Sequence, residues 1–366
     1  MDAYNEARLK VWKQQPDEFF DEAVIEADGT IVETTGECKQ GMDISYNGRW
    51  GYHPLIVSLA NTQEWLYIEN RSANRPSQEG AAFWFDRAIN LCRKAGFRKI
   101  RLRGDTAFTQ TQHLDRWDED RVTFVFGMAD TVAMDREAEK LAKSRWTRLH
   151  RPPKYEVKTE PRWKPENVKD EVIAAREFNA VHLDYEEVAE FEYSPTKCKK
   201  RYRIVALKKN LIWTKGQAQL WDEVRYFFYI TNDWKASAAE IVFGANDRCN
   251  QENLIEQLKN GVHALRAPVD SLLSNWAYMV MAGLAWNLKV WFALLMPIRG
   301  RWRARHTAER EEILRMHAKR FINTFVRVPA QIVRSGRRVI YRLLSWNRWQ
   351  PALLRMADAM RRPLRC

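Results

Sequence analysis

Residues 80–105, GAAFWFDRAINLCRKAGFRKIRLRGD, predict a helix followed by a short strand. Apolar residues recur at helical spacing as far as Ala95, and Gly96 suits the left-handed position that ends many helices. Residues 99–104, KIRLRG, have the alternation of a strand and lead directly into Asp105. This stretch therefore puts an acid at the end of a strand.

Strand patterns also precede this helix. Residues 22–71 contain EAVIEAD, TIVETTG, HPLIVSLAN and EWLYIEN, separated by glycine-containing turns, and Asp28 ends the first of them. After Asp105 come a short helical segment, TQHLDRWDED, and the apolar strand VTFVFGM at 122–128. The resulting order, β-β-β-α-β-α-β, predicts a mixed α/β core.

The pattern changes after residue 130. A charged stretch broken by four prolines is followed by the strand patterns AVHLDY, EVAEFEY, RYRIVAL and VRYFFYI, which predict a β-rich insertion, and helical patterns then return. We predict an N-terminal helix (1–20), a first part of the core (21–130), the β-rich insertion (131–234), a second part of the core (235–297) and a basic helical tail (298–366).

The positive charge is concentrated in that tail. The 366-residue chain has a net charge of +13, and residues 298–366 hold 18 Lys or Arg against four acids. Arg binds phosphate through paired hydrogen bonds, so the tail predicts contact with nucleic acid. The five cysteines form no C-x-x-C pair, and no secretory signal begins the chain, so we expect a protein of the cytoplasm without structural zinc or disulfides.

One apolar stretch, WAYMVMAGLAWNLKVWFALLMP at 276–297, is long enough to cross a bilayer. Asn287 and Lys289 lie near its middle, where a charge is costly in hydrocarbon. We therefore predict a buried core helix and no membrane.

Three acids are candidates for chemistry: Asp28, Asp105 and Glu252. Carboxylates about 4 Å apart repel by roughly 4 kcal/mol at an effective dielectric of 20, so three together require a cation, for which oxygen ligands favour Mg²⁺. Arg248, Glu252, Glu256 and Lys259 follow helical spacing. Periodicity alone does not choose between Glu252 and Glu256.

The spacing of Arg248, Glu252 and Lys259, R-x3-E-x6-K, resembles the latter part of the Y-x2-R-x3-E-x6-K motif of bacterial insertion-sequence DDE transposases, with Ala245 at the Tyr position. Longer stretches are similar to the branch named after insertion sequence 1380, among them ADGTIVETTGECKQGMDISY, RGDTAFTQTQHLDRW and RCNQENLIEQLK. The similarity runs from about Asp21 to about Arg338.

This resemblance implies an RNase H-like core with a β-rich insertion and DNA cleavage followed by strand transfer. It implies that Asp28, Asp105 and Glu252 are the catalytic acids and hold two Mg²⁺ ions, for which Mn²⁺ can substitute. Arg248 and Lys259 are implied to contact DNA phosphates. The implied partners are transposon ends and target DNA, bound by a homodimer associated with the nucleoid.

Two departures from the family pattern bear on these expectations. Ala107 occupies a position that is often acidic, and the chain begins only 27 residues ahead of Asp28, which predicts an N-terminally shortened copy. The alternatives are a catalytically weak or idle DNA-binding remnant and a nuclease of the same fold. Asn232 and Trp234 precede the helix that contains Glu252. The sequence does not decide whether they belong to the site or pack in the core.

Overall fold

The computed structural model describes residues 1–151, 168–176, 179–215, 218–344 and 347–360. Four prolines of the predicted insertion (Pro152, Pro153, Pro161 and Pro165) and tail residues 345–346 and 361–366 lie outside these ranges. The helices are α1 (Asp2–Trp12), α2 (Ala81–Ala95), α3 (Leu114–Glu119), α4 (Val132–Glu139), α5 (Val168–Ala175), α6 (Ala238–Asn246), α7 (Cys249–Glu256), α8 (Leu272–Leu294), α9 (Arg303–Arg315), α10 (Ala318–Phe321) and α11 (Gln350–Met360).

The strands are β1 (Glu22–Gly29), β2 (Val32–Glu33), β3 (Asp43–Ile44), β4 (Trp50–Tyr52), β5 (Leu55–Leu59), β6 (Glu64–Glu69), β7 (Lys99–Gly104), β8 (Thr123–Met128), β9 (Thr147–Arg148), β10 (Asn179–Tyr193), β11 (Tyr202–Lys215), β12 (Ala218–Thr231), β13 (Ala330–Ser335) and β14 (Arg338–Leu343). The chain divides into two units, one formed by Met1–Arg103 with Arg248–Cys366 and the other by Gly104–Asp247.

The first unit contains strands in the order β6-β5-β1-β7. β1 is antiparallel to β5, β5 is antiparallel to β6, and β1 is parallel to β7. Helix α2 carries the chain from β6 to β7 and ends at Ala95, where Gly96 takes a positive φ of 101°. The antiparallel strands β1, β5 and β6, with β7 parallel to β1, confirm the predicted mixed sheet of an RNase H-like core.

A buried ion pair joins the N-terminal helix to this sheet. Arg8 of α1 and Glu64 of β6 have fully buried side chains whose Nε and Oε1 atoms lie 3.1 Å apart. The indole nitrogens of Trp12 and Trp291 also donate to the Glu64 carboxylate, at 2.9 and 2.6 Å. Because donors from α1 and α8 meet on one buried carboxylate of β6, these three elements are held as one core.

Helix α8 is the one described helix long and apolar enough for a membrane span, and half of its most apolar window is buried inside the protein. Asn287 is fully buried and donates to the carbonyl of Trp65 at 3.0 Å. Lys289 is 2% exposed, and its Nζ lies 4.2 Å from the centroid of the Trp286 ring. The two polar residues therefore face the interior, as a core helix requires.

The tail is helical at α9, α10 and α11, which bury an apolar cluster that includes Ile313, Phe325 and Trp349. Between α10 and α11 it also contains the antiparallel pair β13–β14, which the sequence patterns do not predict.

The second unit contains strands in the order β8-β12-β11-β10-β9. β10, β11 and β12 are antiparallel strands of 15, 14 and 14 residues, and the two patterns AVHLDY and EVAEFEY form the single strand β10, with an irregularity between Leu183 and Tyr185. Helix α6 packs Ile241 and Val242 against one face of this sheet. These strands confirm the predicted β-rich insertion.

Candidate functional site

Asp28 lies at the end of β1, in the first unit. The strand buries Ala23, Ile25 and Ala27, so the alternation along it fixes the direction in which each side chain points. The Asp28 side chain is 17% exposed, and its Oδ1 accepts a hydrogen bond from the backbone of Gly29 at 2.8 Å. An acceptor-only carboxylate therefore stands at the rim of the sheet, partly open to solvent.

Glu252 reaches the same place from the other segment of the first unit. Arg248, which precedes α7, lies with Nη1 3.5 Å from Asp28 Oδ2 and with Nη2 3.5 Å from Glu252 Oε1. Glu252 is 60% exposed, whereas the Arg248 side chain is 23% exposed. The structure thus brings two of the three predicted acids to a single guanidinium. Glu256 bonds instead to its neighbour Gln257.

A residue that sequence reasoning missed holds α7 in this position. Gln251 is 1% exposed, and its Nε2 donates to the carbonyl of Ile56 at 3.2 Å, while Ser58 Oγ donates to its Oε1. Ile56 is the β5 residue paired with Asp28. In the sequence, Gln251 is only a polar residue on the same helix as the apolar Leu254 and Ile255. A residue that faces solvent would look the same, so the sequence does not reveal that Gln251 is buried.

Lys259 lies beyond the end of α7, in a π-helical turn, Gln257–Gly261. The helical stripe predicted through Lys259 therefore ends at Glu256, and the turn sets the direction of Lys259 independently of the α-helical period. Burial lowers the pKa of Lys259, and the charges of Glu33 and Asp28 oppose that effect. Lys259 is thus a partly desolvated cation close enough to Asp28 to interact with its charge.

An open groove of about 900 Å³ adjoins Lys259. Its lining includes the cations Arg49, Lys259 and Arg266, the exposed indole of Trp50, and a single acid, Glu33, which is paired with Arg49. Excess positive charge beside an aromatic face is the combination that binds single-stranded nucleic acid.

Asp105, in the second unit, directly follows β7. It caps a short 3-10 turn, Thr106–Phe108, because its Oδ1 accepts a hydrogen bond from the backbone of Ala107 at 2.8 Å. The side chain is half-buried. Ala107, which stands where the family often has an acid, is exposed on this turn. The difference therefore does not affect packing.

Asn232 and Trp234, whose roles the sequence leaves open, have different surroundings in the second unit. Asn232 donates to Asp118 Oδ1 at 2.8 Å and to the Val122 carbonyl at 3.0 Å, and accepts from the backbone of Phe124 at 2.9 Å. Asn232 is therefore a structural residue that fixes the end of β12. Trp234 is 54% exposed.

The carboxylates fit a hard divalent cation by their chemistry, since Mg²⁺ prefers oxygen ligands. Asp28 and Glu252 already stabilise positive charge, in the form of the Arg248 guanidinium. In the described part of the chain, no group of three or more His, Cys, Asp or Glu side chains is arranged to hold a metal ion. The first unit therefore brings together two of the three predicted carboxylates, Asp28 and Glu252, at Arg248.

Comparisons with known proteins give the family. Residues 4–364 match the sequence profile of the family described as transposase DDE domain group 1. No curated protein sequence matches the chain significantly. Among solved structures, the chain is similar to the piggyBac transposase in a cryo-EM structure of its synaptic complex with hairpin DNA, with 9% identity and a TM-score of 0.40. The match covers 81% of this chain and 51% of that one, so this chain spans about half its length. Because the profile extends over almost all of the sequence, the chain belongs to the transposase DDE domain group 1 family.

Proposed function

We propose that this chain is a DNA transposase that cuts the ends of an insertion sequence and joins them to target DNA by Mg²⁺-dependent in-line phosphoryl transfer. The observation that carries the proposal is the 3.5 Å approach of Arg248 to both Asp28 and Glu252. Two acids separated by more than half of the chain meet at one cation, at the rim of an RNase H-like sheet. Two carboxylates that meet at one point also supply the oxygen atoms that a hard divalent cation prefers as ligands.

Asp28, Asp105 and Glu252 are the proposed ligands, and Asp105 joins the set from the motif resemblance. Mg²⁺ held there, or Mn²⁺ in its place, would supply Lewis acidity to the attacking and leaving oxygens of the displacement. The chain itself positions the DNA: Arg248 and Lys259 neutralise phosphates beside the carboxylates. The groove lined by Trp50 and Arg266 receives the strand that continues from the cleaved phosphate.

The partners follow from the reaction. The chain would bind transposon ends and target DNA in the nucleoid, and a homodimer would hold the two ends of one element together. Assignment to the branch named after insertion sequence 1380 remains a prediction from the quoted sequence stretches.

The test uses the full chain and a supercoiled plasmid that carries its gene with the flanking genomic DNA. Asp28→Asn, Asp105→Asn and Glu252→Gln each keep the side-chain size and remove the charge. Each should reduce Mg²⁺-dependent nicking and strand transfer by about 100-fold or more, because transition-state charge loses its stabilisation. Gel analysis of nicked and joined products measures both steps, and electron paramagnetic resonance of Mn²⁺ measures metal binding without turnover.

Glu256→Gln is the matched control, since Glu256 lies on the same helix one turn after Glu252 and should leave both steps unchanged. Circular dichroism confirms that each variant folds. Normal nicking by the Asp28 variant overturns the proposal. Cutting without joining identifies a nuclease of the same fold, and DNA binding without either step identifies an idle remnant.

A further inference from the structure

The strands β13 and β14 form a two-stranded ribbon in the basic tail. They pair in antiparallel register from Ser335 opposite Arg338 to Ala330 opposite Leu343. The loop between them is Gly336–Arg337, and Gly336 has a positive φ of 59°. Ten of the twelve strand residues are exposed, and the other two are half-buried. Six residues at 3.4 Å each make the ribbon roughly 20 Å long.

The base of the ribbon is fixed in the core of the tail. Phe325 and Trp349, on either side of it in the chain, are 8% and 6% exposed, and their ring centroids lie 5.7 Å apart. The Asn347 side chain donates to the Thr324 carbonyl at 3.2 Å. The ribbon is therefore an arm anchored at both ends that adds almost nothing to the core.

The arm is strongly positive. Residues 327–343 contain five Arg, and no acid occurs between Glu312 and Asp358. Glu312 is already paired with Arg320 and Arg348. The five cations of the arm, none of which is paired with a carboxylate in the described ranges, are Arg327, Arg334, Arg337, Arg338 and Arg342.

The register distributes these charges over both faces. Arg338 and Arg342 are four residues apart on β14, so they share one face of the ribbon, whereas Arg334 is paired with Val339 and lies on the other. The exposed apolar residues are divided in the same way, with Tyr341 on the face of Arg334 and Ile340 on the opposite one.

We propose that this ribbon is a DNA-docking arm that enters a groove of duplex DNA and contacts the phosphates of both groove walls, an inference that rests on the proposed DNA-directed function. A major groove about 12 Å wide admits a two-stranded ribbon. Arg on both faces then reaches a phosphate row on either side, while Tyr341 and Ile340 contact sugars and base edges. Because a lone two-stranded hairpin is only marginally stable in water, binding to DNA also stabilises the arm.

The other conceivable occupant is the same arm of a second copy. Its open strand edges and apolar side chains suit pairing between copies. Such pairing brings ten Arg together with no acid from either arm, and like charges on paired strands are destabilising. A polyanion removes this repulsion, so the charge pattern favours DNA.

The test compares the full-length parent with the triple variant Arg334→Gln, Arg338→Gln and Arg342→Gln. Fluorescence anisotropy with a labelled duplex, taken from the flanking genomic DNA, gives the affinity at several salt concentrations. The affinity should fall tenfold or more. The slope of log K against log salt should decrease by about one for each phosphate contact that is lost. Hydrogen exchange of residues 330–343 in the parent should slow when the duplex is added.

A control triple variant, Lys13→Gln, Lys94→Gln and Arg136→Gln, removes the same charge from exposed positions elsewhere and should change affinity much less. Parent-like affinity and salt slope in the arm variant overturn the proposal. A second outcome also overturns it: the arm variant binds DNA normally but no longer self-associates in sedimentation experiments without DNA. The arm would then join two copies of the chain. Failure of the parent to cut DNA defeats the proposed transposase function instead, and the binding comparison still decides the role of the arm.

Discussion

The side-chain amide of Gln251 donates to the carbonyl of Ile56, the residue that pairs with Asp28 across the sheet. This contact ties the helix that carries Glu252 to the strand next to the one that carries Asp28. The position of the acids relative to each other thus depends on a residue that is itself neutral and buried.

Gln251→Leu should therefore impair both stability and cleavage. The substitution leaves the Ile56 carbonyl and the Ser58 hydroxyl without their partner in the core, at a cost of about 1–3 kcal/mol in the free energy of unfolding. Asn287→Leu is the matched control, because Asn287 is also a buried amide side chain that donates to a backbone carbonyl, that of Trp65, away from the acids. Urea denaturation should give similar losses for both variants. Plasmid cleavage by folded protein should fall only for the Gln251 variant, and equal activity contradicts the positioning role.

The space around Gly29 is too small for a side chain. A Cβ there would lie 2.7 Å from Nε2 of His53, whose ring is 4% exposed and has its Nδ1 2.8 Å from the Arg75 carbonyl. Gly29→Ala should destabilise the fold by about 1–3 kcal/mol through overpacking and should displace the neighbouring Asp28.

The control for this change is Gly244→Ala. Gly244 lies inside α6 with open space around its Cβ position, so the same substitution should stabilise the protein by about 0.5–1 kcal/mol. Thermal unfolding followed by circular dichroism measures both changes. A Gly29 variant as stable as the parent would show that the His53 ring moves aside freely.

Lys289 should make stability depend on pH in the alkaline range. Burial lowers its pKa from 10.5 to about 7. Between these values the unfolded chain binds a proton that the folded chain does not, so the free energy of unfolding should rise as pH rises through this window. The upper limit of the gain is about 5 kcal/mol.

Lys289→Met removes the titrating group and keeps an unbranched side chain. The variant should be more stable than the parent at pH 7, and the difference should shrink toward pH 10.5. Urea denaturation of both proteins across this range isolates the contribution of Lys289 from that of other groups. A constant difference between the two proteins contradicts the assignment.

Local patterns were sufficient for much of the first unit. Alternation located β1 and β7, and Gly96 ended α2 at the predicted residue. Such signals are local, because burial of one face imposes a period on the sequence. Asp28 and Asp105 could be picked out for the same reason, since Asp28 lies at the end of one strand and Asp105 directly follows another.

The outer part of the insertion sheet could not be predicted from such signals. β11 continues past Leu207 through Lys208 and Lys209, whose charges are met by Glu187 and Glu186 of the neighbouring strand. Cross-strand ion pairs of this kind replace the apolar alternation that marks a strand. The burial of Gln251 and Arg8 could not be predicted for a related reason, because their hydrogen-bond partners are distant in sequence.

The division of the first unit into two chain segments sets an order on biosynthesis. Asp28 belongs to the earlier segment, while Arg248 and Glu252 are translated only after all of Gly104–Asp247 has been made. A ribosome that stalls inside this intervening stretch releases a polypeptide that lacks half of the acidic pair. Products that end within this stretch are consequently incapable of forming the pair, whatever else they fold into.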